Sequence, residues 1–470
     1  MALPYANVAI RDGALGIVPQ STLGTVALVG TCSGGVNNTI YAFTDIQSLK
    51  DTLGSGPVVA AAALVLAIAG GTVVVCKTNS TTAATFGTVT KVGTGLSVVT
   101  LTGSTPLDSY ALQVLIVQSG ATPAAGTATF KLSIDGGRTF GPETSVPTSG
   151  TYTDATRGLT LIFSAATLVA GDTYSAQCTG PSYSTADLQT AITALLGDPR
   201  TWFLLYAVGV PADASTTQAV FAVLQTSLAT AATQYRFARA LFQCADLADA
   251  AIITAVAALA DTRVMLAAGF ANVLDVTTGS FPKAPAAHIV AARAAAVPPS
   301  EDLGRVASGP VKGIALLIRD EFKTPGLDIA QLATLRTHVG QPGAYVTNPY
   351  IKAGLVSDFK FLQYGRVMDI ASDSVRAGML RFLNDSVRVN ATTGLILEED
   401  ARGIERFLES GMRNAVTIPG YASDCSVVVD RTVNVLSTQR LAVKFRVVPL
   451  GYSKYIDGDI GFSNPALQPV

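Results

Sequence analysis

Charge is what this 470-residue chain has least of. Lys, Arg, Asp and Glu make up 14% of it, against roughly 25% in ordinary soluble domains. The 32 basic and 33 acidic residues leave a net charge of −1, so no field of one sign draws it to nucleic acid or an anionic membrane. Histidine is rarer still. The only two, His288 and His338, stand in unrelated contexts, one beside a Pro- and Ala-rich stretch and one near an expected helix C-terminus, and both are read as structural. The five cysteines, Cys32, Cys76, Cys178, Cys244 and Cys425, are odd in number, far apart and free of CxxC spacing. That pattern argues against a disulfide frame or a zinc site and for reduced, buried thiols.

Long hydrophobic runs are missing too. The most membrane-like one, Val58 to Ala69, is too short to span a bilayer. It carries helix punctuation instead: Gly56 as cap, Pro57 at the first helical position, Gly70-Gly71 as stop. Residues 1–20 have neither the basic region nor the apolar core of a secretory signal, so the sequon-like triplets at Asn37, Asn384 and Asn390 carry no weight. Gly30-Thr-Cys-Ser-Gly-Gly35 follows a strand but fits neither GxGxxG nor the P-loop, and no G-x-S-x-G elbow occurs. Asp457 and Asp459 flank Gly458, two carboxylates where a calcium loop needs about six oxygens, so a turn is expected. The expectation is no enzyme, no cofactor and no metal.

What is present is 49% hydrophobic residues in a chain too long for one core. The sequence predicts an α/β and α+β multidomain protein. Thr25–Gly30 and Thr72–Lys77 read as parallel strands joined through two helices, the first opened by a Thr44-Asp-Ile-Gln47 capping box with Ile46, Leu49 and Leu53 on one face. Residues 81–180 hold only nine charged residues and recurrent strand-like runs between turn signals, an all-β sandwich inserted into a discontinuous α/β domain, 23–80 plus 181–350. In that domain, helix and strand alternate as far as Gly313–Ile318, Ile329–His338 and Ala344–Val346, with a long loop over Asn272–Gly313. Charge returns after position 350, 14 basic and 13 acidic residues. Residues 351–451 are expected to form a C-terminal domain of two helices, Ser374–Val387 and Ala401–Met412, against a β-hairpin. Val375, Met379, Phe382 and Leu383 share one face of the first helix, and Ile404, Phe407, Leu408 and Met412 one face of the second. Glu398–Arg402 and Glu409–Arg413 are i,i+4 pairs.

Both ends look unfinished. Ser426–Leu436 alternates with Val427, Val429, Val433 and Val435 apolar, and a second run places Leu441, Val443, Phe445 and Val447 on one side of Lys444 and Arg446. Beyond Gly451 comes a further β-prone segment with Tyr455, Ile456, Ile460 and Phe462, and the N-terminus carries another with Tyr5, Val8 and Ile10. Unpaired strands are templates for a neighbouring chain.

This order, with Val443-Lys-Phe-Arg-Val-Val-Pro-Leu-Gly-Tyr-Ser-Lys-Tyr-Ile-Asp-Gly-Asp-Ile-Gly-Phe-Ser-Asn-Pro465 at one end and Thr25-Val-Ala-Leu-Val-Gly30 near the other, resembles the tail sheath proteins of contractile bacteriophages. The resemblance covers roughly residues 1–80 and 184–465; the insert stands outside it. It implies homo-hexameric rings stacked helically around an inner tail tube protein, ending at baseplate and tail terminator proteins. The subunit would be assembled in the bacterial cytoplasm into a virion tail, without binding nucleic acid or entering a membrane. It further implies terminal arms, residues 1–22 and 452–470, that add strands to neighbouring C-terminal domains, and an outward-facing insert. Arg402, Arg406 and Arg413 become candidate tube contacts. The alternative from another class is an α/β enzyme or ligand-binding protein with a β-sandwich accessory domain.

Overall fold

The computed structural model describes residues 24–102, 105–198 and 201–462. They form two compact units, the first ending at Asp369 and the second beginning at Ile370.

The first unit opens with strand β1 (Val26–Gly30), strand β2 (Ile40–Phe43), helices α1 (Ile46–Leu53) and α2 (Pro57–Ala69), and strand β3 (Val73–Lys77). The α1 cap is Asp45, whose carboxylate accepts the Ser48 N–H, and not Thr44 as the spacing implied. Asp45 adds a second bond, from the Ser48 hydroxyl, which a Thr-to-Gln box does not offer here. Helix α2 runs between Gly56 and Gly70 as its punctuation predicts. It has no polar face because it packs on β1 and β3 beneath another helix.

Strands β4 (Thr85–Phe86), β5 (Thr90–Val92), β6 (Val99–Leu101), β7 (Tyr110–Gln118), β8 (Thr129–Ser133), β9 (Thr144–Ser145), β10 (Thr151–Asp154), β11 (Leu159–Phe163) and β12 (Thr173–Thr179) follow. They make two antiparallel sheets, β10-β11-β6 and β4-β12-β7-β8-β9 with β5 on β12. Val99, Leu159, Leu161 and Phe163 of one sheet share a core with Leu112, Val114, Ile116, Phe130 and Tyr174 of the other, the interdigitation of a sandwich. The segment closes on itself where Thr82 and Ser182 exchange backbone hydrogen bonds of 3.0 and 3.1 Å.

Helix α3 (Thr185–Gly197), opened by a Ser184/Asp187 capping box, returns the chain to the first sheet. There follow β13 (Leu204–Ala207), α4 (Ala214–Thr233), β14 (Arg239–Gln243), α5 (Asp249–Val256) and β15 (Val264–Ala267). The strand order is β15-β14-β13-β1-β3-β2, parallel except for the edge strand β2, antiparallel to β3. Successive residues feed opposite faces: Val26 and Leu28 enter one core cluster, Ala27 and Val29 the other. That two-sided burial is why these strands read as continuous apolar runs. Strand β2 is absent from the sequence reading because an edge strand of four residues carries little pattern.

The expected loop 272–313 is not one. Strands β16 (Phe270–Val273) and β17 (Lys283–Pro285) lead into helix α6 (Ala286–Ala296), and β18 (Ile314–Leu317) returns beside β16. Nine of the eleven α6 residues are buried, so it shows no amphipathic period, and flanking prolines disguise it. The Ile329–His338 run is also not a helix. Strands β19 (Leu335–His338) and β20 (Gln341–Val346) form an antiparallel pair turning at Gly340, φ +80°, a conformation glycine adopts without cost. His338 therefore ends a strand.

Helix α7 (Leu362–Leu380) begins twelve residues before the expected Ser374 and crosses from one unit into the next. In its first turns Gly365 and buried Arg366 obscure the period. The expected apolar face fails at its far end: Val375 is buried but Met379 and Leu383 are exposed. The second unit continues with α8 (Glu398–Met412), a π-helical turn over Arg413–Thr417, strand β21 (Ala422–Val429), the short helix α9 (Val435–Thr438) and strand β22 (Val443–Pro449). Ala401, Ile404, Leu408 and Met412 of α8 are buried; Phe407 is half out and meets Phe382 edge-on at 5.4 Å.

Candidate inter-subunit interface

In the second unit β21 and β22 form a two-stranded antiparallel sheet, pairing Val427 with Phe445 and Val429 with Val443. Cys425, Val427 and Val429 are buried on the face that packs on α8. Across from them Val443, Phe445 and Val447 are half-buried, while Lys444, Arg446 and Val448 are exposed. The period-2 pattern of β22 thus matches its burial. Three of the expected strand residues lie elsewhere. Val433 sits in a bend, Val435 in α9, and Leu441 before β22 begins. The cause is Asn434, whose side chain caps α9 by accepting the Ser437 N–H and so ends the extended run.

The two outer edges of this sheet differ. On β21 the Val429 N–H donates to Glu405 Oε1 at 2.8 Å, and the Val429 carbonyl accepts Arg431 Nη1 at 2.8 Å. On β22 the Asp430 N–H bond to the Ala442 carbonyl sets the alternation of the ladder. It points the backbone groups of Val443, Phe445 and Val447 away from β21. No other backbone segment meets them among the described residues.

A charged network braces the sheet against α8. Arg431 bridges Glu398 (2.5 Å) and Glu405 (2.7 Å), and Arg402 adds a bond to Glu398 at 2.7 Å. The bonds from Arg431 and Arg402 lower the Glu398 carboxyl to about 2, and those of Glu405 and Glu398 raise Arg431 further. Sequence reasoning did not single out Arg431. The signal was the i, i+4, i+7 stripe Glu398, Arg402, Glu405 facing a lone arginine after a strand. Arg402 and Arg406 lie on α8 and Arg413 in the π-helical turn that follows it, and the three are not equivalent. Arg402 is held by Glu398, and Arg413 by Glu409 (2.9 Å) and Asp424 (3.1 Å). Arg406 is exposed and makes no ion pair among the described residues.

Beyond Gly451 the described chain has no secondary structure. Tyr455 and Ile456 are 90% and 85% exposed, and Ile460 and Phe462 fully so. Tyr5, Val8 and Ile10 of the other expected arm lie outside the described residues.

Sequence profiles for two consecutive domains, DUF2586 N-terminal and DUF2586 C-terminal, match residues 3–349 and 358–467. The chain belongs to the DUF2586 family. No curated protein matches it in sequence. Solved structures do match in fold. The helical sheath of the anti-feeding prophage in its contracted state aligns with a TM-score of 0.53 at 10% identity, over 98% of this chain and 100% of that one. The sheath complex of the extracellular contractile injection system PVC, also contracted, gives 0.53 at 10% identity over 98% and 99%. A chain of the anti-feeding prophage baseplate gives 0.54 at 9% identity over 98% and 100%. The DUF2586 chain has the fold of contractile sheath proteins.

In this DUF2586 protein His288, the Gly30–Gly35 loop and the five thiols have structural occupations. His288 lies buried on α6, its Nδ1 2.6 Å from the Tyr206 hydroxyl, and burial pushes its pKa down to about 3. In the Gly30–Gly35 loop the Ser33 and Gly34 amides donate to the carbonyls of Ser55 and Leu53, so they cannot cradle a phosphate. A Cβ on Gly30 would touch Val58 and Val208 at 3.1 Å, so both side chains pack directly on the backbone at the end of β1. All five thiols are buried and free, and burial raises Cys32 to about 11 and Cys76 to about 12. Among the described residues no group of three or more His, Cys, Asp or Glu is placed to hold a metal, and no helix is long and apolar enough to cross a membrane.

Proposed function

We propose that this DUF2586 protein is the sheath subunit of a contractile tail-like assembly. It polymerises as stacked hexameric rings around an inner tube, bounded by a baseplate and a terminator, and contracts to drive the tube through a bacterial envelope. The observation that carries this reading is the pairing of a β22 edge, without a partner strand among the described residues, with a C-terminal run whose Ile456, Ile460 and Phe462 stand in solvent. In a chain of sheath fold, these are the two halves of a strand-addition joint. The work of contraction comes from packing free energy between subunits and requires no nucleotide. The sandwich of residues 81–180 faces outward and leaves the lattice contacts to the rest of the chain.

Electron microscopy of the purified full-length protein tests this. Tubes or stacked rings are expected. The chain truncated after Gly451 should stay folded by circular dichroism and sediment as a monomer. A full-length protein that forms only discrete small oligomers, or a truncated one that forms tubes of normal length, overturns the proposal.

A further inference from the structure

On the exposed face of β22, Lys444 and Arg446 are two residues apart. Neither makes an ion pair or side-chain hydrogen bond among the described residues; Lys444 is felt only at a distance, by Asp430. In the exposed C-terminal run, Asp457 and Asp459 are likewise two apart and likewise without an ion pair. Residues two apart in an extended chain point the same way. A strand made of this run therefore presents Asp457 and Asp459 on one face and Ile456, Gly458, Ile460 and Phe462 on the other.

Resting on the sheath-subunit reading above, we propose that the C-terminal run of a second copy adds to the outer edge of β22, with Asp457 and Asp459 seated across from Lys444 and Arg446. Three observations converge on this edge and register. First, the β21 edge is blocked at Val429, where Glu405 and Arg431 occupy both backbone groups, whereas among the described residues nothing bonds the outward groups of Val443, Phe445 and Val447 on β22. Second, aligning the two carboxylates with the two cations brings the apolar face of the run onto the face of Val443, Phe445 and Val447. The half-buried side chains there gain the cover they lack. Third, in either strand direction the same alignment sets Gly458 opposite Phe445, so the largest side chain of β22 meets the residue with none. A shift by one residue would turn Ile456 and Ile460 to the charged face and the carboxylates to the apolar one.

Charge-reversal complementation tests the register and the identity of the occupant. Two variants are made in the full chain, K444E/R446E and D457K/D459K, both on exposed residues, with K444Q/R446Q as a milder control. Circular dichroism confirms each fold. Each reversal alone turns two attractive cross-strand pairs into repulsive ones, and should raise the concentration needed for polymerisation roughly tenfold or more. Mixed in equal amounts, the two reversed proteins should polymerise together, because each arm then meets a complementary strand on the other protein. All four substitutions in one chain should also restore polymers. Normal polymerisation of both single-sided variants, or failure of the mixture, overturns the proposal. Rescue in the four-substitution chain without rescue in the mixture means the run folds onto its own β22, which also overturns it. The outcomes separate from those of the broader reading. If truncation after Gly451 abolishes tubes while the reversals do nothing, the arm stands and this register falls.

Discussion

Asp369 ties the start of α7 to the core of the first unit, and its loss should be among the costliest single changes in the chain. Arg239 on β14 is 1% exposed. Its Nε and Nη2 donate to the Asp369 carboxylate at 2.7 and 3.0 Å, and its remaining donors reach the carbonyls of Thr262 and Gly365. Arg263 adds a second cation on Asp369 Oδ1 at 3.1 Å. In Asp369→Ala the guanidinium of Arg239 stays buried beside Arg263 with no anion to offset it. Breaking one side of such a pair costs about 3–5 kcal/mol. In a unit ending at Asp369, with an unfolding entropy of about 2.1 cal/mol/K per residue, that lowers the thermal midpoint by roughly 4–6 °C. Replacing both partners, Arg239→Met with Asp369→Leu, removes the stranded charge and should fall within about 2 kcal/mol of the native protein, with Arg263 free to turn to solvent. The helix passes so close that a Cβ on Gly365 would meet Arg239 Cζ at 2.4 Å, so Gly365→Ala should also destabilise. Denaturant titrations of the four proteins decide the matter. If Asp369→Ala costs less than 1 kcal/mol, or the double variant costs more than the single, the argument from an uncompensated buried charge is wrong.

Three further outcomes are expected. The His288 pKa, pushed down to about 3 by burial, lies below the ordinary value near 6.5; the unfolded chain binds a proton that the folded one does not, and stability falls as pH drops from about 6.5 toward 3. His288→Gln should flatten that slope by up to about 1.4 kcal/mol per pH unit in urea titrations at pH 7 and pH 5, and an unchanged slope refutes the assignment. Arg406→Glu should leave stability within about 0.5 kcal/mol yet weaken co-assembly with purified tube. Arg413→Glu should also lower the melting point through lost contacts with Glu409 and Asp424; equal melting points would contradict this contrast. Excising residues 84–180 and joining the ends with a short Gly/Ser linker should preserve both fold and polymerisation, because Thr82 and Ser182 already meet. Loss of all assembly by a folded excision variant, seen in the electron microscope, would show the insert to be a lattice element.

What the sequence made legible divides by how each element is satisfied. Helix α2 could be read from Gly56, Pro57 and Gly70 because its ends are chemical signals. The strands around Ala27, Val74, Leu112 and Leu161 could be read because apolar runs and alternation report burial directly. Helix α6 could not, since a helix buried on all sides has no period and Ala286–Ala296 resembles a linker between prolines. The start of α7 was hidden because Arg366 and Asp369 are buried polar groups with tertiary partners, which no local pattern encodes. At the interface the alternation of Val443, Phe445 and Val447 was plain, but the closed edge at Val429 was not. It depends on Glu405 and Arg431, 26 residues apart, meeting through the packing of α8.

In the proposed sheath the exposed C-terminal run would act as one bond among many. Covering Ile456, Ile460 and Phe462 stabilises a joint by roughly 1.5–3 kcal/mol per side chain, on the order of 5–9 kcal/mol together. Fixing the chain costs about 1–2 kcal/mol for each residue ordered, so ordering the run from Tyr452 to Phe462 cancels all of that gain before the backbone hydrogen bonds of the ladder are counted. Ion pairs in solvent, such as those we assign between Asp457, Asp459 and β22, add about 0–1 kcal/mol each. They discriminate one register from its neighbours more than they deepen the joint. An isolated pair of subunits held by one arm is therefore weak. The proposed closed ring would engage every arm at once, and a second arm on a subunit already held by the first would bind at a high effective concentration. The low charge of the chain outside its C-terminal unit fits the proposed assembly, because surfaces that met neighbours at every step of a lattice would have few charges to desolvate.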